Sequence, residues 1–179
     1  MNKKKLIIIN GTMGVGKTTV SRSLYKNLAR SFWLDGDSCW HMNPFIVNEE
    51  NKNMVIENIC FILNNFIKNS LADYIIFNWV IQTDEIMNFV LDNLNLKNTE
   101  VYKITLMCSE EYLVQRIIKD IGDGIRSSES IKRSLDNLKL YNRMDTIKVN
   151  TDNKSIDSVV QEIIEIVGSS RILNGSIRE

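Results

Sequence analysis

Leu6-Ile7-Ile8-Ile9-Asn10-Gly11-Thr12-Met13-Gly14-Val15-Gly16-Lys17-Thr18-Thr19 reads as a buried strand, a glycine-rich turn and the opening of a helix. The continuous apolar run fits a strand covered on both faces. Gly11, Gly14 and Gly16 lack a Cβ where the chain has to curl tightly, so that backbone N–H groups can converge on an anion. The helix that follows turns its free N–H groups and its positive dipole end to the same point. Lys17 adds a mobile charge for the outer phosphates and Thr18 a hydroxyl for Mg²⁺. The segment from Gly11 to Thr19 therefore predicts a site for a nucleoside triphosphate, ATP with Mg²⁺. The bland alternative is a strand–helix turn that binds nothing. The placement between a buried strand and an amphipathic helix favours the phosphate loop.

Outward from this loop the chain alternates short apolar runs with longer segments of helical period, the pattern of a parallel sheet with helices on both faces. Strands are expected at Leu6–Asn10, Phe32–Leu34, Tyr74–Ile81, Val101–Cys108 and Thr146–Asn150. Helices are expected at Lys17–Arg30, Asn51–Asn69, Asp84–Leu94, from Ser109 to the break at Gly122-Asp123-Gly124, at Ser128–Asn142 and at Ser155–Val167. The fold class is α/β, a three-layer sandwich with a five-stranded parallel sheet. Residues 1–168 form one domain with a small lid at about residues 119–130, and residues 169–179 a polar tail.

Composition narrows the function classes. The 22 basic and 22 acidic side chains cancel, which argues against a dedicated nucleic-acid binder. Cys39, Cys60 and Cys108 are widely spaced, with no disulfide framework or zinc pattern, and read as reduced thiols. No apolar stretch approaches the ~20 residues of a membrane span, and the run after Lys3-Lys4-Lys5 is too short for a signal peptide. A cytoplasmic protein is expected.

Asp35-Gly36-Asp37 falls where a second parallel strand ends, and ligands of open α/β sheets gather at that edge. Two carboxylates one residue apart can face one point when a glycine lets the turn fold sharply. One can serve Mg²⁺ while the other takes a proton from an attacking hydroxyl. The alternative is a solvated turn whose carboxylates cap a helix.

The glycine-rich loop followed by this Asp-x-Asp resembles the P-loop small-molecule kinases related to nucleoside monophosphate kinases, the group of shikimate, gluconate and adenylylsulfate kinases and chloramphenicol phosphotransferase. The likeness extends through Gln115-Arg116, Gly122 to Arg126, Leu140-Tyr141 and Val149-Asn150-Thr151. It implies Asp35 in the Mg²⁺ shell with Thr18, and Asp37 as the group that holds and deprotonates an acceptor hydroxyl. It implies Arg116 over the adenine, Thr151 to Asn153 beside it, and Arg126 reaching from the lid to the transferring phosphoryl group together with Lys17. The chain departs from the group in two ways. Asn78-Trp79 ends the third strand without a carboxylate, which disfavours an ATPase motor. Trp79-Val80-Ile81 and Asn137 stand where shikimate kinase has a triple glycine and an arginine, so shikimate is not the expected acceptor.

Trp40, His41, Asn78 and Trp79 are the candidates for acceptor contact, with plain packing as the alternative for each. Arginines are scarce in this region, which favours a neutral or weakly charged hydroxyl acceptor. A nucleoside or nucleotide kinase and a nucleotide-binding protein without transfer activity are the alternatives.

Overall fold

The computed structural model describes residues 3–124 and 126–173. The strands β1 (Lys4–Asn10), β2 (Ser31–Asp35), β3 (Tyr74–Asn78), β4 (Thr99–Met107) and β5 (Ile147–Asn150) form one sheet in the order β2-β3-β1-β4-β5. Every pairing is parallel. The helices are α1 (Lys17–Asn27), α2 (Glu49–Lys68), α3 (Asp84–Asp92), α4 (Glu110–Gly122), α5 (Glu129–Arg143) and α6 (Ile156–Leu173). The expected α/β sandwich is the observed one.

The apolar run of β1 explains itself in this arrangement. Leu6, Ile7, Ile8 and Ile9 are all fully buried. Ile7 and Ile9 join Val20 and Leu24 of α1 and Val159, Val160 and Ile163 of α6. Leu6 and Ile8 join Val55, Ile59 and Leu63 of α2 and Met87 of α3 on the other face. Burying an aliphatic side chain of this size contributes about 1.5–3 kcal/mol, so the strand that carries the loop is also the best anchored in the sheet.

Three boundaries differ from the pattern-based expectation for identifiable reasons. Helix α2 starts at Glu49, because Asn48 accepts from the Asn51 N–H and Glu49 and Glu50 complement the dipole. Strand β3 stops at Asn78: Trp79 donates its backbone N–H to Ile9 O at 3.3 Å, and Ile81 donates to Asn10 Oδ1 at 2.9 Å. These bonds fold the chain over the end of the sheet. Helix α6 runs through Gly168 to Leu173, since a single glycine weakens a helix by only about 1 kcal/mol and no proline follows. The expected tail therefore begins inside this helix, and residues 174–179 lie outside the described residues. So does Ile125, within the expected lid.

Among the described residues no helix is long and apolar enough to cross a membrane.

Candidate active site

The loop between β1 and α1 has the curled backbone its glycines predict. Gly11, Gly14 and Gly16 take φ values of 140°, 86° and 103°. Gly11 and Gly14 are also crowded. A Cβ on Gly11 would lie 2.7 Å from Leu106 O, and one on Gly14 would lie 2.8 Å from Ile117 Cγ1. Gly16 has open space around it and is needed for its left-handed backbone alone. No side chain caps α1, as befits a helix end that receives a ligand.

Lys17 is 8% exposed and donates to Gly11 O at 3.0 Å and Thr12 O at 3.1 Å. Burial lowers its pKa to about 8, against the pull of Asp37 and Asp35 and with the push of Arg126. A bound phosphate raises that proton affinity again, so nucleotide binding takes up a proton above pH 8. Affinity is then full below pH 8 and falls as the pH rises through it. Between pH 7.5 and pH 9 the expected loss is roughly eightfold. Calorimetric titration with MgATP at the two pH values checks this, and equal affinities would contradict it.

The end of β2 sits beside the loop. Thr18 Oγ1 donates to Asp35 Oδ2 at 2.8 Å, and Asp35 Oδ1 accepts from the Asp37 N–H at 3.1 Å. Asp35 thus caps the short 3₁₀ helix Gly36–Trp40 while touching the threonine of the loop. Capping the short helix leaves Asp35 beside the loop threonine, where a metal role is compatible with it. A hydroxyl and a carboxylate side by side at a phosphate loop are hard oxygen donors, and Mg²⁺ takes one or two such groups with phosphate and water. The residues fit that ion, and Thr18 and Asp35 are the ones that would hold it.

Asp37 lines the cleft one turn further on. Although part of the residue is open to the cleft, withdrawal of its carboxyl from water raises its pKa, and the neighbouring Asp35 raises it further. Lys17, Arg126 and the nearby Trp79 side chain pull it back. Gly36 does not take a left-handed φ. The glycine is required by packing: a Cβ there would lie 2.6 Å from Trp79 Cγ. The expectation that it serves a sharp turn gives way to this closer cause.

Helix α4 organises the opposite wall. Arg116 donates to Val15 O at 3.1 Å, Thr151 Oγ1 at 2.9 Å and Thr151 O at 3.0 Å. Its guanidinium binds the phosphate loop to the segment after β5. Thr151 is itself tied to Met107 O through its N–H at 2.8 Å and its hydroxyl at 3.0 Å. Arg126 donates through Nε to Asp120 Oδ2 at 2.7 Å, which leaves its terminal nitrogens for another partner. It lies close enough to act electrostatically on both Lys17 and Asp37.

These groups face one cleft of roughly 1260 Å³. Met13 through Thr19, Asp37, Trp40, His41, Trp79, Arg116, Arg126 and Thr151 all line it. Five predicted site residues do not. Gly11 lies beneath the loop, with its carbonyl on Lys17. Thr12 is buried, with its hydroxyl on Ser134 O at 2.9 Å. Asp35 reaches the cleft only through Thr18. Asn153 accepts from the Tyr112 hydroxyl. Asn78 is buried and accepts from Trp33 Nε1 at 2.6 Å. Side chains alternate along a strand, so Asn78 shares the α1 face with Ile76, while Phe77 and Trp79 share the other. The expected acceptor contact from Asn78 is thereby corrected. Lys52, Asn53 and Ile56 of α2, Gln82, Ile86 and Arg133 line the cleft without having been singled out by sequence. Lys52 is paired with Glu49 at 2.7 Å.

A strand, a left-handed glycine loop, a helix with an uncapped start, and an acidic turn at the carboxyl edge of a parallel sheet define a P-loop protein. Its family model matches residues 7–134, and the chain belongs to the AAA domain family. Among solved structures it is similar to the tunicamycin resistance protein of Deinococcus radiodurans, with 20% identity, 93% of this chain and 96% of that chain covered, and a TM-score of 0.71. A gluconokinase from Sinorhizobium meliloti 1021 is 13% identical over 99% and 100% of the two chains, with a TM-score of 0.70. Shikimate kinase from Acinetobacter baumannii is 21% identical over 98% and 96%, with a TM-score of 0.61. At these identities the likeness establishes a kinase-like fold. No curated protein sequence matches the chain significantly.

Proposed function

We propose that the chain is an ATP-dependent kinase that moves the γ-phosphoryl group of MgATP to a hydroxyl of a small molecule. The observation that carries this reading is the convergence of Lys17, Asp37 and Arg126 at one end of the cleft, beside the Thr18–Asp35 pair. A non-catalytic nucleotide binder has no use for a carboxylate with raised proton affinity facing two cations at that point.

In this reading the phosphate loop and Lys17 hold the β- and γ-phosphates. Mg²⁺ held by Thr18 and Asp35 neutralises phosphate charge when bound. Asp37 accepts the proton of the acceptor hydroxyl as the acceptor's oxygen bonds to the γ-phosphorus, and the bond from that phosphorus to the β,γ-bridging oxygen breaks. ADP leaves with the electron pair. Arg126, with Nε held by Asp120, offers its terminal nitrogens to the transferring group. Arg116 and Thr151 border the nucleotide on the far side. Trp40, His41 and Trp79 border the acceptor.

The test is ADP release from MgATP across a panel of gluconate, shikimate, uncharged nucleosides, nucleoside monophosphates and aromatic alcohols. Acceptor-dependent ADP release, with the phosphorylated product seen by mass spectrometry, is the expected result. MgATP binding without transfer to any member would favour the non-catalytic alternative, and transfer confined to monophosphates would favour the nucleotide kinase.

A further inference from the structure

We propose that Trp79 is a positioning residue that ties Asp37 to the phosphate-loop strand, through a contact that only glycine at position 36 permits. The proposal rests on the reading of Asp37 as the base. Three observations meet at this one side chain. Its backbone N–H is bonded to Ile9 O at 3.3 Å, two residues before Gly11. Its indole lies on the bare Cα of Gly36, where a Cβ would be 2.6, 2.7 and 2.9 Å from Trp79 Cγ, Cδ1 and Cβ. Its indole also stands near enough to the Asp37 carboxyl to lower that group's proton affinity.

The path from phosphate loop to acceptor carboxylate thus runs through one rigid residue. Ile9 fixes the backbone of Trp79, the indole presses on Gly36, and the next residue is Asp37. Phe77 backs the ring at a centroid distance of 6.4 Å. A residue that merely walled the acceptor would not need the glycine. Phosphoryl transfer depends on in-line placement of acceptor and phosphate, and a shift of about 1 Å can cost on the order of a hundredfold. A device that sets the spacing between Asp37 and the loop acts on that term.

Trp79→Phe keeps a ring on Gly36 and removes the N–H. Gly36→Ala forces the ring away, and Gly36→Ala combined with Trp79→Ala relieves the collision. The first readout needs no acceptor: ¹⁵N-indole spectra of the whole chain, whose three tryptophans are assigned by single Phe substitutions. Asp37→Ala and Gly36→Ala should each move the Trp79 signal. Asp37→Ala should leave the Trp33 signal in place, since Asn78 holds that indole. The second readout uses the panel member with the fastest ADP release. Trp79→Phe should lower kcat about tenfold with KM for MgATP within about twofold, and Gly36→Ala should cost little once Trp79 is Ala.

An indole signal indifferent to Asp37→Ala overturns the proposal. So does a Trp79→Phe variant with full kcat, or one that changes only KM for the acceptor. Failure of the wider reading looks different: MgATP binding is absent, or Asp37→Asn retains turnover, while the indole signal still follows Asp37.

Discussion

Asp37→Asn should lower the rate of phosphoryl transfer by about a thousandfold while leaving MgATP affinity equal to wild type or slightly tighter. The substitution is close to isosteric, so Trp79 and Gly36 keep their places. What is lost is the capacity to take a proton, and a positioned general base contributes about 10²–10⁴ in rate. The raised proton affinity of Asp37, caused first by burial and then by Asp35, makes it a stronger base than an ordinary carboxylate. The same substitution removes one of two neighbouring negative charges that oppose a triphosphate, which is why binding should not suffer. Coupled ADP-release kinetics and calorimetry on the same preparation measure both quantities. Undiminished turnover would remove Asp37 from its role, and a parallel loss of MgATP binding would make that role one of ligand binding.

Lys17→Ala should reduce both MgATP affinity and turnover by at least about a hundredfold, a size typical for the loss of one preorganised donor to a charged group. Its effect on folding should be small. In the free protein the buried ammonium bears a desolvation cost, visible in its pKa of about 8, and its partners are two loop carbonyls. Removing the charge removes that cost with the bonds. The melting temperature should therefore stay near wild type while its upward shift on adding MgATP disappears. Lys17→Arg should not rescue binding, because a planar fork does not replace a compact ammonium inside a closed loop. A Lys17→Ala variant with an unchanged MgATP-induced shift would contradict the loop assignment.

The parts of this site legible from sequence are those in which local chemistry is self-sufficient. Glycines at 11, 14 and 16 followed by Lys17 and Thr18 announce a curled backbone, and all three glycines adopt it. The buried strand before them and the Asp-x-Asp after β2 are equally local. Asn78 lies away from the cleft that its neighbour Trp79 lines, because one step along a strand reverses the side chain. Gly36 illustrates a different blind spot: its cause is the indole of Trp79, far along the chain, a contact that exists only once β2 and β3 pair. Arg116 was legible as a cleft residue, whereas its bonds to Val15 and Thr151 depend on the meeting of α4, the loop and the segment after β5. The α2 residues Lys52, Asn53 and Ile56 carry no motif at all and gain their place from the packing of that helix.

The most direct test of the central claim is calorimetric titration of the intact chain with a non-hydrolysable ATP analogue and Mg²⁺ at pH 7.5. One analogue should bind per chain, far more tightly than AMP, because the loop grips the phosphates and not the base. The absence of any binding heat, or equal affinity for AMP, would contradict it.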